Sequence, residues 1–241
     1  MPLTLSEVRA CGNLLLNRLA DEDLRALLPH LQKVNNRIKD VIYNRNEPLT
    51  HVHFPSTCAF SMLGFMETGA AVEVGTVGNE GFTGVELVLH ASDSQETCVC
   101  QVEGSSLRIA TDDFREALKR LPSLNLLAKR YLQCYLALVS QSVACNRLHM
   151  IEARFARWLL ITHDRLQGNE FQLTQEFIAD MLGVHRPSVS LVAAGFQAAG
   201  IIEYKRGHMK ILNRNALEEA SCECYVAVKA RFERILGVSY G

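Results

Sequence analysis

This chain has almost no net charge: 25 Lys and Arg stand against 26 Asp and Glu over 241 residues, a formal charge of −1. A global attraction to polyanions is excluded, so any nucleic-acid role must rest on local charge. No stretch reaches the roughly 18 apolar residues that a membrane helix needs. The nearest, "YLQCYLALVSQSVAC", holds two glutamines and two serines. The opening "MPLTLSEVRACGNLLLNRL" scatters polar and charged residues among apolar ones and lacks the unbroken core of a signal peptide. No export is expected, and the cytoplasm is the expected compartment.

Zinc-type cysteine spacing is also missing. Of Cys11, Cys58, Cys98, Cys100, Cys134, Cys145, Cys222 and Cys224, two pairs share a C-x-C spacing, and neither has a histidine at a matching interval beside it. Reduced thiols packing as small hydrophobes are expected, with no metal and no cofactor. Nothing near Cys98 or Cys100 is basic enough to lower a thiol pKa.

What is present is a folded composition, 48% apolar and 21% charged, long enough for one large domain or two smaller ones. Residues 4–19 and 21–34 read as two short helices, the second capped by Asp21 with a stripe of Leu24, Leu27, Leu28 and Leu31. From 38 to 110 the texture changes to short β-rich runs: "VIY", "HVHF", "AFSML", "AAVEVGTV", "TCVCQVE" and "SLRIA". Their near-regular spacing between Gly, Pro, Asn and Asp predicts an antiparallel sandwich or barrel.

Residues 112 to about 168 have helical texture. Leu124, Leu127, Tyr131, Cys134, Leu138, Gln141, Cys145 and Leu148 alternate three and four apart, forming one seam. Two partners fit it: the chain's own sheet, or the same helix of a second copy. The seam's length, about 37 Å at helical rise, favours the second copy. A further helix over 151–166 puts Ile151, Phe155, Trp158 and Leu159 on a core face, with Arg154, Arg157 and Arg165 mainly off it.

The stretch "IADMLGVHRPSVSLV" (178–192) starts a helix, breaks it and restarts. Ala179 lets a second helix cross close to the first, and Gly183 supplies the positive φ of a tight corner. Ile178, Leu182, Val184, Val189 and Val192 fill the inner face. Pro187 suits the first residue of the second helix, where its missing N–H is not needed. Thr174 is a natural cap for the helix before, with Glu176 complementing its dipole. This is the pattern of a helix-turn-helix. "GIIEYKRGHMKIL" (200–212) then reads as strand, basic turn, strand: a wing. From 181 to 214 the bases Arg186, Lys205, Arg206, Lys210 and Arg214 face a single acid, Glu203. That is an electrostatic footprint for phosphate.

His185, Arg186, Pro187, Ser188 and Ser190 open the second helix, the one that enters the major groove in such motifs. Arg186 alone among them can pair bidentately with guanine O6 and N7. With His185 and Arg186 poor caps, the N–H groups of Ser188 and Val189 are expected to meet a phosphate. Thr174 and Gln175 can grip the backbone likewise, and Lys205, Arg206, His208 and Lys210 supply sequence-neutral contacts from the wing.

Taken in order, a β-rich N-terminal part, a long dimer-type helix and a C-terminal winged helix-turn-helix resemble the Crp/Fnr family of bacterial transcription regulators. The residues carrying the resemblance are "VIYNRNEPLTHVHFP" (41–55), "RFARWLL" (154–160) and "LTQEFIADMLGVHRPSVS" (173–190). Asn46 stands where the family commonly has glycine. The resemblance implies an α+β fold: a sensor β-roll (jelly-roll or double-stranded β-helix type) over 1–122, a dimerisation helix over 123–149 and a winged helix-turn-helix with an extra C-terminal helix over 150–241. It implies as partners double-stranded DNA, a second copy, RNA polymerase and a small-molecule effector of unknown identity, with no membrane.

Members that bind cyclic nucleotides grip the phosphate with an Arg-Ser pair and an upstream Gly-Glu. Here Gly84 and Glu86 are present with Val85 between them, but Thr97 and Cys98 fill the Arg-Ser place. A buried phosphate without a cation is costly, so cyclic AMP is not the expected effector. The family's oxygen sensors use an N-terminal cysteine cluster, whereas Cys11 stands alone. His51 and His53 fit an ordinary strand edge better than a haem site. Pro187 and Leu191 stand where many members have an acid and a base, which leaves the operator open. The tail over 215–237 reads as one extra helix whose stripe includes Leu217, Cys224, Val228 and Phe232, with Cys222 and Cys224 packing. The competing function is a small-molecule sensor with a vestigial DNA-binding part. An enzyme is not expected: "HVHF" lacks a carboxylate or nucleophile partner, and "GNEGFTG" precedes no phosphate-binding helix.

Overall fold

A computed structural model describes residues 3–165 and 168–238. The chain opens with helices α1 (Leu5–Ala10) and α2 (Asp21–Leu27). Thr4 and Glu7 close a capping box on α1. Asp21 does not cap α2: Ala20 occupies that position without a side-chain bond, and Asp21 instead adds charge to the first turn. Residues 31–34 are not helical. Strand β1 (Gln32–Asn36) takes over, pairing with β7 (Gly104–Ala110). Its sequence, "QKVNN", has no apolar alternation, so only its partner reveals it.

Seven strands make two antiparallel sheets. One has the order β1–β7–β3, with β3 at His51–Pro55. The other runs β2 (Val41–Tyr43), β6 (Thr97–Val102), β4 (Ala59–Phe65), β5 (Ala71–Val77). Asn46, at φ 60°, takes the left-handed turn position between β2 and β3. Asparagine is one of the few residues besides glycine that adopts it readily, so the departure at 46 preserves the turn. Inside the roll, Phe54, Phe82 and Phe114 stack with centroids 5.4–6.1 Å apart. Phe114 comes from α3 (Thr111–Arg120).

The long helix α4 (Pro122–Leu148) plugs this core: Tyr131 stacks on Phe82 at 5.0 Å. The seam expected to face a second copy is therefore largely occupied. Leu124, Tyr131, Cys134, Leu138 and Cys145 are buried within one chain, and Leu127 and Gln141 are partly covered. The cover is the roll on one side and the C-terminal helix α9 (Cys224–Leu236) on the other, where Phe232 meets Tyr131 at 6.4 Å. The tail itself is two helices, not one: α8 (Arg214–Ala220) stops at Ser221, and α9 starts after a turn.

Helix α5 (Ile151–His163) follows, and of its expected span Leu166 lies outside the described residues. Arg157 and Arg165 are not surface groups: they are 7% and 3% exposed. Then come β8 (Glu170–Gln172), α6 (Gln175–Leu182), α7 (Arg186–Ala198), β9 (Ile202–Lys205) and β10 (His208–Ile211). The wing sheet is three-stranded, β8–β10–β9, one strand more than the sequence indicated.

The helix-turn-helix is docked on the roll. Edge strand β5 receives α6, with Val72 Cγ2 3.1 Å from where a Cβ would stand on Gly183. Trp158 Nε1 donates to Glu73 Oε1 at 3.0 Å, and Gln101 Nε2 donates to Thr162 Oγ1 at 3.1 Å. Among the described residues no helix is long and apolar enough to cross a membrane.

Candidate nucleic-acid interface

The corner between α6 and α7 is built as its residues require. Thr174 Oγ1 accepts the Phe177 N–H at 3.1 Å and caps α6. Gly183 ends it at φ 61°, and the Val184 N–H returns to the Ala179 carbonyl at 3.0 Å. Helix α7 begins at Arg186, so Pro187 is its second residue rather than its first. His185 is the N-cap and makes no side-chain cap bond. The Ser188 N–H, expected to await a phosphate, is taken by the His185 carbonyl at 2.9 Å. The first turn closes on itself, which the weak cap did not foretell.

Ser190 Oγ donates to Gln175 Oε1 at 2.7 Å, so two residues assigned to DNA are bonded to one another across the corner. Val189, Val192, Ala193 and Phe196 bury the inner face of α7. Its outer face carries Arg186, Pro187, Leu191, Ala194 and Ala198, all exposed, with Leu191 75% exposed.

At the wing tip, Arg206 (φ 52°) and Gly207 (φ 81°) are the two loop residues between β9 and β10. Two consecutive positive φ values are what a tight hairpin needs to follow the strand twist. Glycine adopts this freely, whereas the arginine pays roughly 1–2 kcal/mol for it. The loop swings Arg206 towards α6 and α7. Thr174, Gln175, Glu176, Arg186, Tyr204, Arg206 and Gly207 line one groove of about 430 Å³. Tyr204 holds its floor, donating its hydroxyl to the Leu173 carbonyl at 2.7 Å.

Two of the five bases counted from 181 to 214 are spoken for. Lys210 pairs with Glu170 of β8 at 2.6 Å, an acid 40 residues upstream that the local count could not include. Arg214 pairs with Asp164 at 2.6 Å and Glu218 at 2.9 Å. Among the described residues Arg186, Lys205 and Arg206 form no ion pair. His185 and His208 are exposed beside them.

The candidate effector residues gather inside the roll. Gly84 caps the 3₁₀ turn Val85–Leu89, and Glu86 in that turn accepts from Ser94 Oγ at 2.6 Å. Burial raises the Glu86 carboxyl above its ordinary range, against the Ser94 bond that lowers it. Thr97 Oγ1 accepts the Arg45 N–H at 3.2 Å, and Cys98 is fully buried opposite Met62. Burial, first, and the neighbouring Cys100 and Cys58 thiols push the Cys98 thiol well up, leaving it neutral. The Arg45 guanidinium turns away to the Phe65 carbonyl at 3.2 Å. Among the described residues one group has metal-ligand chemistry: Cys145, His149, Cys222 and Cys224, which converge from distant parts of the chain.

Residues 153–220 match the Crp-like helix-turn-helix domain. No curated protein matches the sequence. Solved structures share the fold. A Eubacterium rectale protein described as a Crp/Fnr-family transcriptional regulator aligns with TM-score 0.66 at 17% identity, over 86% of this chain and 96% of that one. FixK2 from Bradyrhizobium japonicum aligns with TM-score 0.64 at 18% identity, over 80% and 98%. The c-di-GMP-responsive global regulator CLP from Xanthomonas campestris aligns with TM-score 0.61 at 12% identity, over 80% and 99%.

Proposed function

We propose that this chain is a DNA-binding transcriptional regulator of the Crp/Fnr type, acting as a homodimer on a roughly palindromic site. The observation that carries the reading is the groove where the starts of α6 and α7 meet the wing tip, with Arg186 and Arg206 on its walls and, among the described residues, no acid paired to either. Two helix N-termini and two free guanidinium groups around one groove suit a phosphate backbone. In this reading Arg186 reads a guanine, while Thr174, Gln175, Lys205, Arg206 and His208 hold the backbone. Leu191, the most exposed apolar residue on the face of α7, contacts a thymine methyl. Lys210 contributes less, because Glu170 already neutralises it.

Residues 1–122 sense, 123–149 join two copies and 150–241 bind DNA. With the inner seam of α4 filled, the surface left for a second copy is the opposite side of that helix. Leu126, Leu136 and Val143 are 51–67% exposed there. Inside the roll, a buried carboxyl at Glu86 and neutral thiols stand where a cyclic phosphate would need a cation, so the effector is not cyclic AMP.

The test is selection of genomic fragments by the purified full-length chain, followed by footprinting. Protected half-sites about 34 Å apart are expected. Arg186→Ala costs about 1–3 kcal/mol on the preferred site and flattens preference among sites, whereas Lys205→Ala weakens all sequences alike. A monomer, or binding that ignores sequence at low salt, overturns the reading.

A further inference from the structure

The end of α4 runs into α5 through His149 and Met150, and the turn between α8 and α9 folds back onto that joint. Four side chains meet there. Cys145 lies in the last turn of α4, and His149 is its C-cap. Cys222 sits in the turn, and Cys224 opens α9. Their ligand atoms all lie within 4.8 Å of one another. Cys145 Sγ is 3.5 Å from Cys222 Sγ, and Cys224 Sγ is 3.6 Å from His149 Nδ1.

Those two contacts match the edges of a tetrahedron around a single small ion, and the remaining pairs lie within 4.8 Å. Bonds of about 2.3 Å to sulfur and 2.0–2.1 Å to nitrogen give edges of roughly 3.5–3.8 Å. An iron–sulfur cluster distributes its ligands over several irons and holds them further apart. The three cysteines are buried and His149 is half-buried, as suits a site closed to solvent.

The surroundings fit as well. His149 Nε2 lies 3.2 Å from Glu223 Oε2, so a carboxylate orients the ring with Nδ1 towards the sulfurs. Gln141 Nε2 donates to Cys224 Sγ at 3.0 Å. Three thiolates, one imidazole and a divalent cation leave a net negative charge. Arg157, close enough to Cys145 to interact with it electrostatically, has its Nε buried without a hydrogen-bond partner among the described residues, an anomaly that a neighbouring anionic centre would explain.

We propose that Cys145, His149, Cys222 and Cys224 bind one zinc ion in a closed Cys3His site that clasps the start of α9 to the α4–α5 joint. With all four positions filled by protein, the ion is structural and has no open position for a substrate. Its place matters because the α4–α5 joint sets the angle at which the helix-turn-helix leaves the long helix. Loss of the ion or oxidation of its thiols would loosen that joint.

The full-length chain, purified without chelators from zinc-supplemented cells, is expected to carry about one zinc per chain by elemental analysis. Cobalt replacement should give the visible absorption of a tetrahedral ion together with sulfur-to-cobalt charge transfer. Cys224→Ser and His149→Ala should abolish or shift those bands and weaken zinc at least tenfold, while Cys98→Ser keeps them. Glu223→Gln should weaken zinc about tenfold or more without changing the bands. The cobalt spectrum of the unaltered chain stands even if the cysteine variants fail to fold. Less than a tenth of an ion per chain, an octahedral cobalt spectrum, an iron–sulfur chromophore or a Cys145–Cys222 disulfide in the purified protein each overturns the proposal.

Discussion

Arg165 and Glu80 lie 85 residues apart in sequence and meet in an ion pair of 2.8 Å, with side chains 1% and 0% exposed. The glutamate follows β5 of the roll, and the arginine follows α5 in the segment that matches the helix-turn-helix domain. Both Nε and Nη2 of the arginine converge on Oε1, while Nη1 donates to the Ile161 carbonyl at 2.7 Å. Removing one partner leaves a buried charge uncompensated. Glu80→Gln and Arg165→Met should each cost about 3–5 kcal/mol in urea unfolding, and the double change should cost less than their sum. Single losses below about 1 kcal/mol would show the pair to be solvated.

His53 sets a pH limit on the roll. Burial, helped by His51 and Arg108, lowers its pKa from 6.5 to about 4. The unfolded chain therefore binds a proton that the folded chain refuses. Stability from this group is complete above pH 6.5 and drains away as pH falls towards 4, by about 3 kcal/mol in total. His53→Gln should remove that slope; unfolding curves at several pH values measure it.

Glu170 neutralises Lys210 on the wing. Glu170→Gln frees Lys210 from its 2.6 Å partner and should strengthen binding to random duplex. The slope of log affinity against log salt should steepen by about one phosphate contact. An unchanged slope would mean that Lys210 lies off the DNA path.

A side chain at 183 strains the corner. Gly183→Ala places a Cβ at φ 61°, 3.1 Å from Val72 Cγ2. The left-handed strain should cost roughly 1–2 kcal/mol. Val72→Ala in the same chain should recover only the part due to the contact, as thermal unfolding of both variants will tell.

Much of this was open to reading along the chain. Thr174, Gly183, Pro187 and the spaced valines specify a helix, a corner and a second helix through neighbours a few residues apart. Strands such as "HVHF" and "TCVCQV" declare themselves by β-branched residues between turn formers. Elements without a local pattern did not: "QKVNN" becomes a strand only because β7 lies beside it. The seam of α4 was visible, but its partner was not, because the residues of α9 that cover it lie 83 to 101 positions downstream.

Local order along the chain, then, settled which segments coil, which extend and where the basic winged segment begins, since those depend on side chains within a turn or two of each other. Tertiary contact decided which charges stay free and which are cancelled, as Lys210 and Arg214 illustrate. It also decided that a C-x-C pair has a histidine and a third cysteine beside it, because closeness in a folded chain is a property of space.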